Sequence, residues 1–136
     1  MKDDLGPEAG IVIGREVQIE RAMRTDVLVK AVIPGHNQAA NELATVVIEV
    51  KGCWNSEVKT GLENQLIQKY LLLHKWNFGI YVVSWYICDA WKNSRNSLES
   101  ATLEDAREEL RRLADEASRQ HSELRVFGLA LDCRYR

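Results

Sequence analysis

The sequence predicts an α/β domain in which a mixed β-sheet is flanked by helices. Two observations support this class. Three runs with strand-like alternation come first, and two segments with helical spacing follow, each leading into a further strand-like run. The predicted element order is therefore βββαβαβ. Meandering strands followed by helix-strand crossovers imply a sheet with both antiparallel and parallel neighbours.

The first three strands are predicted from runs rich in Val and Ile. Residues 16–21 and 26–32 alternate with period two, and residues 22–24 between them are short enough for a hairpin turn. The stretch 33–44 is rich in Pro, Gly and Asn and is predicted to be a loop. The run TVVIEVK at 45–51 is the third predicted strand.

The period changes after the third strand. Apolar residues spaced by four and three positions over 58–73 predict an amphipathic helix, which Gly79 is expected to end. The apolar run 79–88 predicts a strand buried on both faces at the centre of the sheet. A second helix is predicted over 103–117, with Thr102 as its cap, and the last strand over 124–132.

Composition limits the possible functions. The chain has 136 residues, of which 46% are hydrophobic and 28% charged, as expected for one globular domain. Residues 1–14 are predicted to be a flexible segment or linker, and residues 15–136 the domain.

The net charge of −2 argues against non-specific coating of nucleic acid. Three separated cysteines without a CxxC pair predict a reducing, cytoplasmic setting. No uncharged run reaches the roughly 20 residues of a membrane span, so no membrane association is expected.

Three charged residues lie within otherwise apolar predicted strands. Glu49 and Lys51 are two positions apart, so on a strand they share a face with Val47. Asp26 begins the second strand, where pairing with a neighbouring strand could bring its carboxylate beside Glu49. Converging carboxylates repel each other unless a cation lies between them. The pattern therefore predicts a metal site.

The expected metal is Mg²⁺, and Mn²⁺ could substitute for it, because oxygen ligands without nearby His or Cys favour a hard ion. Lys51 could stabilise charge on a phosphoryl group or help to deprotonate water. The combination predicts hydrolysis of a phosphodiester. An alternative stays open in which Glu49 and Lys51 form only an ion pair at the rim of the sheet.

Asp26, the 22 residues that separate it from Glu49-Val50-Lys51, and the following QL…YL pattern with Gln65 and Tyr70 resemble the PD-(D/E)XK nuclease superfamily. This superfamily includes many restriction enzymes and Holliday-junction resolvases. The resemblance implies a restriction-endonuclease-like core. The helix that usually opens this core would be missing or replaced, because residues 1–14 are poor helix formers.

The resemblance also implies roles for individual residues. Asp26, Glu49 and the carbonyl of Val50 would bind the metal, and Lys51 would assist the nucleophilic water. Gln65 would hold water or phosphate. Glu16 is the candidate for a third acid near the metal, the alternative being a polar edge that faces solvent.

The leading functional hypothesis is therefore a Mg²⁺-dependent endonuclease domain that acts on nucleic acid, with DNA as the expected substrate. Fusion to a larger recognition or effector protein, or a partner, is expected to supply target recognition, and a homodimer is possible because nucleases that cut both strands often pair. Two alternatives remain. One is a catalytically inactive nuclease-fold module used for assembly or nucleic-acid binding. The other is an unrelated α/β interaction module in which the acids are incidental.

Overall fold

A computed structural model describes residues 11–20, 23–33, 42–88 and 96–134. These residues form five strands and two helices. In chain order they are β1 (Ile11–Glu20), β2 (Met23–Ile33), β3 (Glu42–Gly52), α1 (Leu62–Leu72), β4 (Phe78–Trp85), α2 (Leu103–Gln120) and β5 (Arg125–Asp132). Helix α1 has the wider, π-type winding. The predicted element order is confirmed.

The five strands form one mixed sheet in the order β1-β2-β3-β4-β5. The pairs β1–β2 and β2–β3 are antiparallel, whereas β3–β4 and β4–β5 are parallel. The two helices are the crossovers that parallel neighbours require. The α/β class predicted from the sequence is confirmed.

The first strands are longer than their side-chain patterns suggest. β1 begins at Ile11, inside the segment predicted to be flexible. The predicted hairpin of β1 and β2 is confirmed, but its turn is not at 22–24, because β2 already begins at Met23, which pairs with Glu20. β2 and β3 stay paired as far as Ile33 and Glu42. Antiparallel pairing continues wherever the backbone of both strands can supply hydrogen bonds, whatever the side chains. The rest of the predicted loop, 34–41, lies outside the described residues.

Gly79 was predicted to end the first helix. This is wrong, because Gly79 lies in β4. The helix is followed instead by Lys75 at a φ of 57°, a left-handed conformation that stops helical winding. A Cβ atom at Gly79 would come within 2.9–3.1 Å of the side chains of Leu71 and Leu66. The glycine therefore allows α1 to pack closely on the sheet.

Both helices cover the same face of the sheet. A side chain at Gly128 in β5 would collide with the backbone carbonyl of Leu110 in α2, and Gly128 pairs with Tyr81, which shares a face with Gly79. The hydrophobic core lies between this face and the helices. Its largest fully buried side chains are Trp85, Tyr81, Leu66, Ile67, Leu71 and Leu110. The hydroxyl of Thr102 caps α2 by accepting the Asp105 N–H at 3.1 Å, as predicted.

The other face of the sheet is not covered by either described helix. Its exposed apolar side chains are 40–57% accessible and belong to Val50, Phe78, Phe127, Leu129 and Leu131. The predicted burial of the run 79–88 on both faces holds within β4, where every residue from Gly79 to Trp85 is buried or half-buried. The prediction that this strand lies at the centre of the sheet is wrong, because β3 is the middle strand. Neither described helix has the length and apolar character that a membrane span requires.

Candidate active site

The site begins where β2 and β3 separate. The last pair of their ladder at this end is Val27 with Ile48, so the next position in register sets Asp26 opposite Glu49. At this position the side chain of Asp26, and not a backbone carbonyl of β2, accepts a hydrogen bond from β3. Its Oδ2 accepts the backbone N–H of Val50 at 2.8 Å. This bond fixes the half-buried Asp26 carboxylate against the strand that carries Glu49 and Lys51.

Glu49 and Lys51 lie on the face of β3 that the helices cover. They alternate with Val46, Ile48 and Val50 on the opposite face. The side chain of Glu49 is only 7% exposed and that of Lys51 12%, and Lys51 Nζ lies 3.4 Å from Glu49 Oε1. The predicted sharing of one face is therefore observed. The ion pair also exists, but it is buried rather than solvated.

Glu49 is electrostatically strained. Burial raises the pKa of its carboxyl from 4.5 to about 7, the Asp26 carboxylate adds to this effect, and the cations of Lys51 and Lys69 partly oppose it. Its second oxygen, Oε2, is buried and has no hydrogen-bond partner among the described residues. A buried carboxylate oxygen without a partner normally costs stability, so this oxygen is suited to a ligand from outside the chain.

Two tyrosines adjoin the carboxylates. Tyr81 of β4 pairs in register with Glu49, and its buried hydroxyl donates to the Val58 carbonyl at 2.7 Å. Burial, followed by the charge of Glu49, raises the pKa of Tyr81 above its usual range. Tyr70 of α1 is also buried, and burial together with the charges of Glu49 and Asp26 raises its pKa to about 12. Both hydroxyls therefore stay neutral at physiological pH.

Gly61, just before α1, holds the lysine in place. A Cβ atom at this position would lie 2.6 Å from the Tyr81 hydroxyl and 3.3 Å from Cε of Lys51. The start of the helix segment can therefore approach both side chains only because residue 61 is glycine. The aliphatic part of Lys51 is enclosed while its ammonium group reaches Glu49.

The structure places the other predicted residues less centrally. Gln65 is half-buried on α1, and its Nε2 donates to Glu57 Oε2 at 3.3 Å. Glu16 lies in β1 between the pairs Arg15–Val27 and Val17–Thr25, which sets it opposite Asp26 in register, and its side chain is outside the described residues. The structure ties Val50 to Asp26 through its N–H, so a role for its carbonyl stays a prediction.

Sequence reasoning missed Tyr81 and Lys69 as neighbours of the carboxylates. The signal for Lys69 was weak, because a lysine on an exposed helix face is usually a solvated residue. Tyr81 sits in an apolar run and reads as a core residue. Its position beside Glu49 depends on the parallel register of β3 and β4, which side-chain alternation does not reveal.

The residues present fit a small divalent cation. Asp26 and Glu49 offer carboxylate oxygens on adjacent strands, and Oε2 of Glu49 is buried with no hydrogen-bond partner from the residues that the structure describes. Within the described ranges no group of three or more His, Cys, Asp or Glu side chains forms a richer metal site. Mg²⁺ keeps several water ligands and binds through one or two carboxylates, which matches this sparse set. Comparisons of the chain with protein-family models, curated proteins and solved structures found no match.

Proposed function

We propose that the domain is a Mg²⁺-dependent nuclease that hydrolyses phosphodiester bonds in nucleic acid, with DNA as its expected substrate. One observation carries the proposal. The buried Glu49 carboxylate has an oxygen without a hydrogen-bond partner in the described part of the chain and lies beside both Asp26 and Lys51. The pattern of these residues resembles the PD-(D/E)XK superfamily, which supplies the reaction class.

Asp26 and Glu49 would hold the cation, with the Val50 carbonyl as a further oxygen. When bound there, Mg²⁺ would polarise a phosphate and acidify a water molecule. Lys51 brings a positive charge to the same place and stabilises negative charge that develops on the phosphate. Gly61 and the packing around Tyr81 keep the lysine stem in position, and Lys69 adds positive charge nearby.

A purely structural ion pair explains the geometry less well. Burying two charges costs several kcal/mol and is repaid only when the remaining lone pairs are satisfied. Glu49 Oε2 is not satisfied within the described part of the chain, and Asp26 raises the cost further. A cation between the carboxylates offsets both penalties.

A second candidate function is an inactive nuclease-fold module used in assembly. The exposed apolar side chains on the uncovered face of the sheet favour it. Activity and assembly are not exclusive, so the test of the proposal must measure hydrolysis directly.

The deciding experiment incubates the chain with supercoiled plasmid, single-stranded DNA and RNA, in Mg²⁺, Mn²⁺, Ca²⁺ or EDTA. We expect cleavage with Mg²⁺ or Mn²⁺, binding without efficient cleavage with Ca²⁺, and no cleavage in EDTA. Glu49→Gln is the inactive comparison, and Glu108→Gln on the exposed side of α2 is the matched control. Cleavage that persists in EDTA contradicts the metal mechanism. A folded chain that cleaves none of the substrates contradicts the nuclease proposal.

A further inference from the structure

The sheet face turned away from the helices, here called the open face, is large and apolar. Its exposed members are Val50, Phe78, Phe127, Leu129 and Leu131, and they belong to three adjacent strands. Soluble chains rarely expose a contiguous apolar patch of this kind unless it contacts a partner. The open face is therefore an interaction surface.

The charge pattern restricts the partner. Outward positions in 46–50, 78–84 and 127–131 carry no charged side chain. The charged residues that the register places on this face, Arg15, Glu42 and Arg125, lie in an edge strand or at the start of a strand. A charged or strongly polar surface would lose its hydration there without gaining partners. The occupant must itself present a flat, uncharged apolar surface.

The size of the open face fits a dimer interface. The whole open face also includes β1 and β2, where the described outward residues Ile13, Val27 and Val29 are apolar and half-buried. Five strands about 4.8 Å apart, each about eight residues long or longer, span roughly 600 Å² in plan. A stable, specific interface buries about 800 Å² on each partner. Corrugation by side chains brings the accessible area of a sheet face above its plan area, so the two values are of the same order.

Among the described residues one surface has this size and chemistry, so a second copy of the chain can supply the matching open face. The stretches outside the described residues contain few large apolar residues, namely Met1, Leu5, Trp91 and Tyr135. We infer that two copies associate through their open faces into a two-fold symmetric dimer, with the sheets packed face to face. Such a contact is self-complementary, and aligned sheets commonly pack in this way.

This arrangement leaves both candidate active sites accessible. Glu49 and Lys51 lie on the helix-covered face of each sheet, away from the proposed contact. Dimerisation is therefore expected to be independent of the carboxylates, and Glu49→Gln should dimerise like the wild type. The inference goes beyond the proposed nuclease function and does not depend on it.

The test is sedimentation velocity of the full chain across a range of concentrations. We expect a species of about 31 kDa, twice the chain mass of 15.5 kDa. Leu129→Glu or Leu131→Glu should weaken association by at least about tenfold, since each buries a charge in the contact. The matched control is Leu73→Glu, because Leu73 is 54% exposed, similar to Leu131 at 52%, but lies at the end of α1.

A second measurement does not depend on the variants folding. The wild-type melting temperature should rise with protein concentration, and the dimer should persist in about 1 M NaCl because the contact is apolar. A wild type that stays monomeric at 100 μM overturns the inference, whether or not another protein covers the face. So does dissociation by high salt, or an equal loss of association in Leu73→Glu and Leu131→Glu.

Discussion

The face of the sheet that the helices cover buries Glu49 and Lys51, whereas the opposite face exposes Phe127 and Leu131 to solvent. Globular domains usually show the reverse, with charges outside and large apolar side chains inside. The two faces therefore differ in the kind of group that lacks an interaction partner among the described residues. On the covered face Glu49 Oε2 is buried with no hydrogen-bond partner among the described residues, and on the open face neither described helix packs against the apolar side chains.

The contrast also separates two sources of function within one sheet. Residues that alternate along β3 contribute to both, since Glu49 points to one face and Val50 to the other. The following predictions change the charge or the packing of the covered face. They run from the largest expected effect to the smallest.

Neutralising the carboxylates should abolish hydrolysis. We expect Asp26→Asn and Glu49→Gln to reduce cleavage by about 10³-fold or more and to weaken Mg²⁺ binding, because each removes a charged ligand. The apo protein should be as stable as the wild type or slightly more so, since the carboxylates no longer repel each other. In Asp26→Asn the new amide oxygen can still accept the Val50 N–H. Cleavage assays and thermal melts with and without Mg²⁺ check both expectations.

Lys51→Ala provides the comparison for that experiment. It should abolish cleavage while largely keeping metal binding, because the lysine stabilises charge and does not ligate. A wild type that gains no stability from millimolar Mg²⁺, together with variants that melt several degrees lower, would show that Asp26, Glu49 and Lys51 are architecture only.

Gln65→Ala should slow cleavage by roughly 10- to 1000-fold if the amide positions water or phosphate. Its melting temperature should change little, because the residue is only half-buried and loses one hydrogen bond to Glu57. Tyr70→Ala is the contrasting variant. It removes a buried ring and should cost about 3–5 kcal/mol of folding stability. A fully active Gln65→Ala enzyme would show that Gln65 has no role in cleavage and only forms its hydrogen bond with Glu57.

The stability of the metal-free protein should fall as the pH rises from about 4.5 to 7. The folded state holds the Glu49 proton up to a pKa of about 7, whereas the unfolded chain releases it near 4.5. This contribution is complete below the unfolded pKa and is lost as the pH passes through the folded one, with a size on the order of 2 kcal/mol. Denaturant titrations in EDTA should show this slope in Glu108→Gln and its absence in Glu49→Gln. Equal slopes in the two variants would contradict the assignment.

Gly61→Ala should destabilise the protein by about 1–2 kcal/mol. Alanine is the better helix former, but the added methyl would lie 2.6 Å from the Tyr81 hydroxyl, and overpacking outweighs the gain in propensity. Asn64→Ala, at an exposed position of α1, is the control and should be neutral or stabilising. In a double-mutant cycle, Tyr81→Phe should cancel part of the destabilisation caused by Gly61→Ala, because it removes the hydroxyl oxygen with which the added methyl group clashes. If the effects of Gly61→Ala and Tyr81→Phe on the free energy of unfolding were additive, the clash with the Tyr81 hydroxyl would not be the cause of the destabilisation.

Much of the site could be predicted because strand alternation is a local property. Glu49, Lys51 and Val47 share a face for a reason visible in seven residues, and the spacing to Asp26 suggested a neighbouring strand. What the sequence did not reveal was that the charged face is the covered one. That outcome depends on the strand order, which places both crossovers on one side of β3, β4 and β5.

The errors have the same origin. Gly79 looked like a helix terminator, and its actual role is to let Leu66 and Leu71 approach the sheet. The apolar composition of the run 79–88 suggested the centre of the sheet, and yet β3 is the middle strand. In each case a long-range contact, or the lack of one, decides the environment of a residue, and no local pattern records it.

The hydrogen bond from the Val50 amide to the Asp26 carboxylate gives the site its own spectroscopic indicator. An N–H that donates to a charged oxygen is polarised more strongly than one that donates to a neutral amide. The ¹H–¹⁵N resonance of Val50 is therefore sensitive to whatever withdraws electron density from that carboxylate. A magnesium titration followed at this one resonance would measure the occupancy of the proposed metal site without nucleic acid and without turnover.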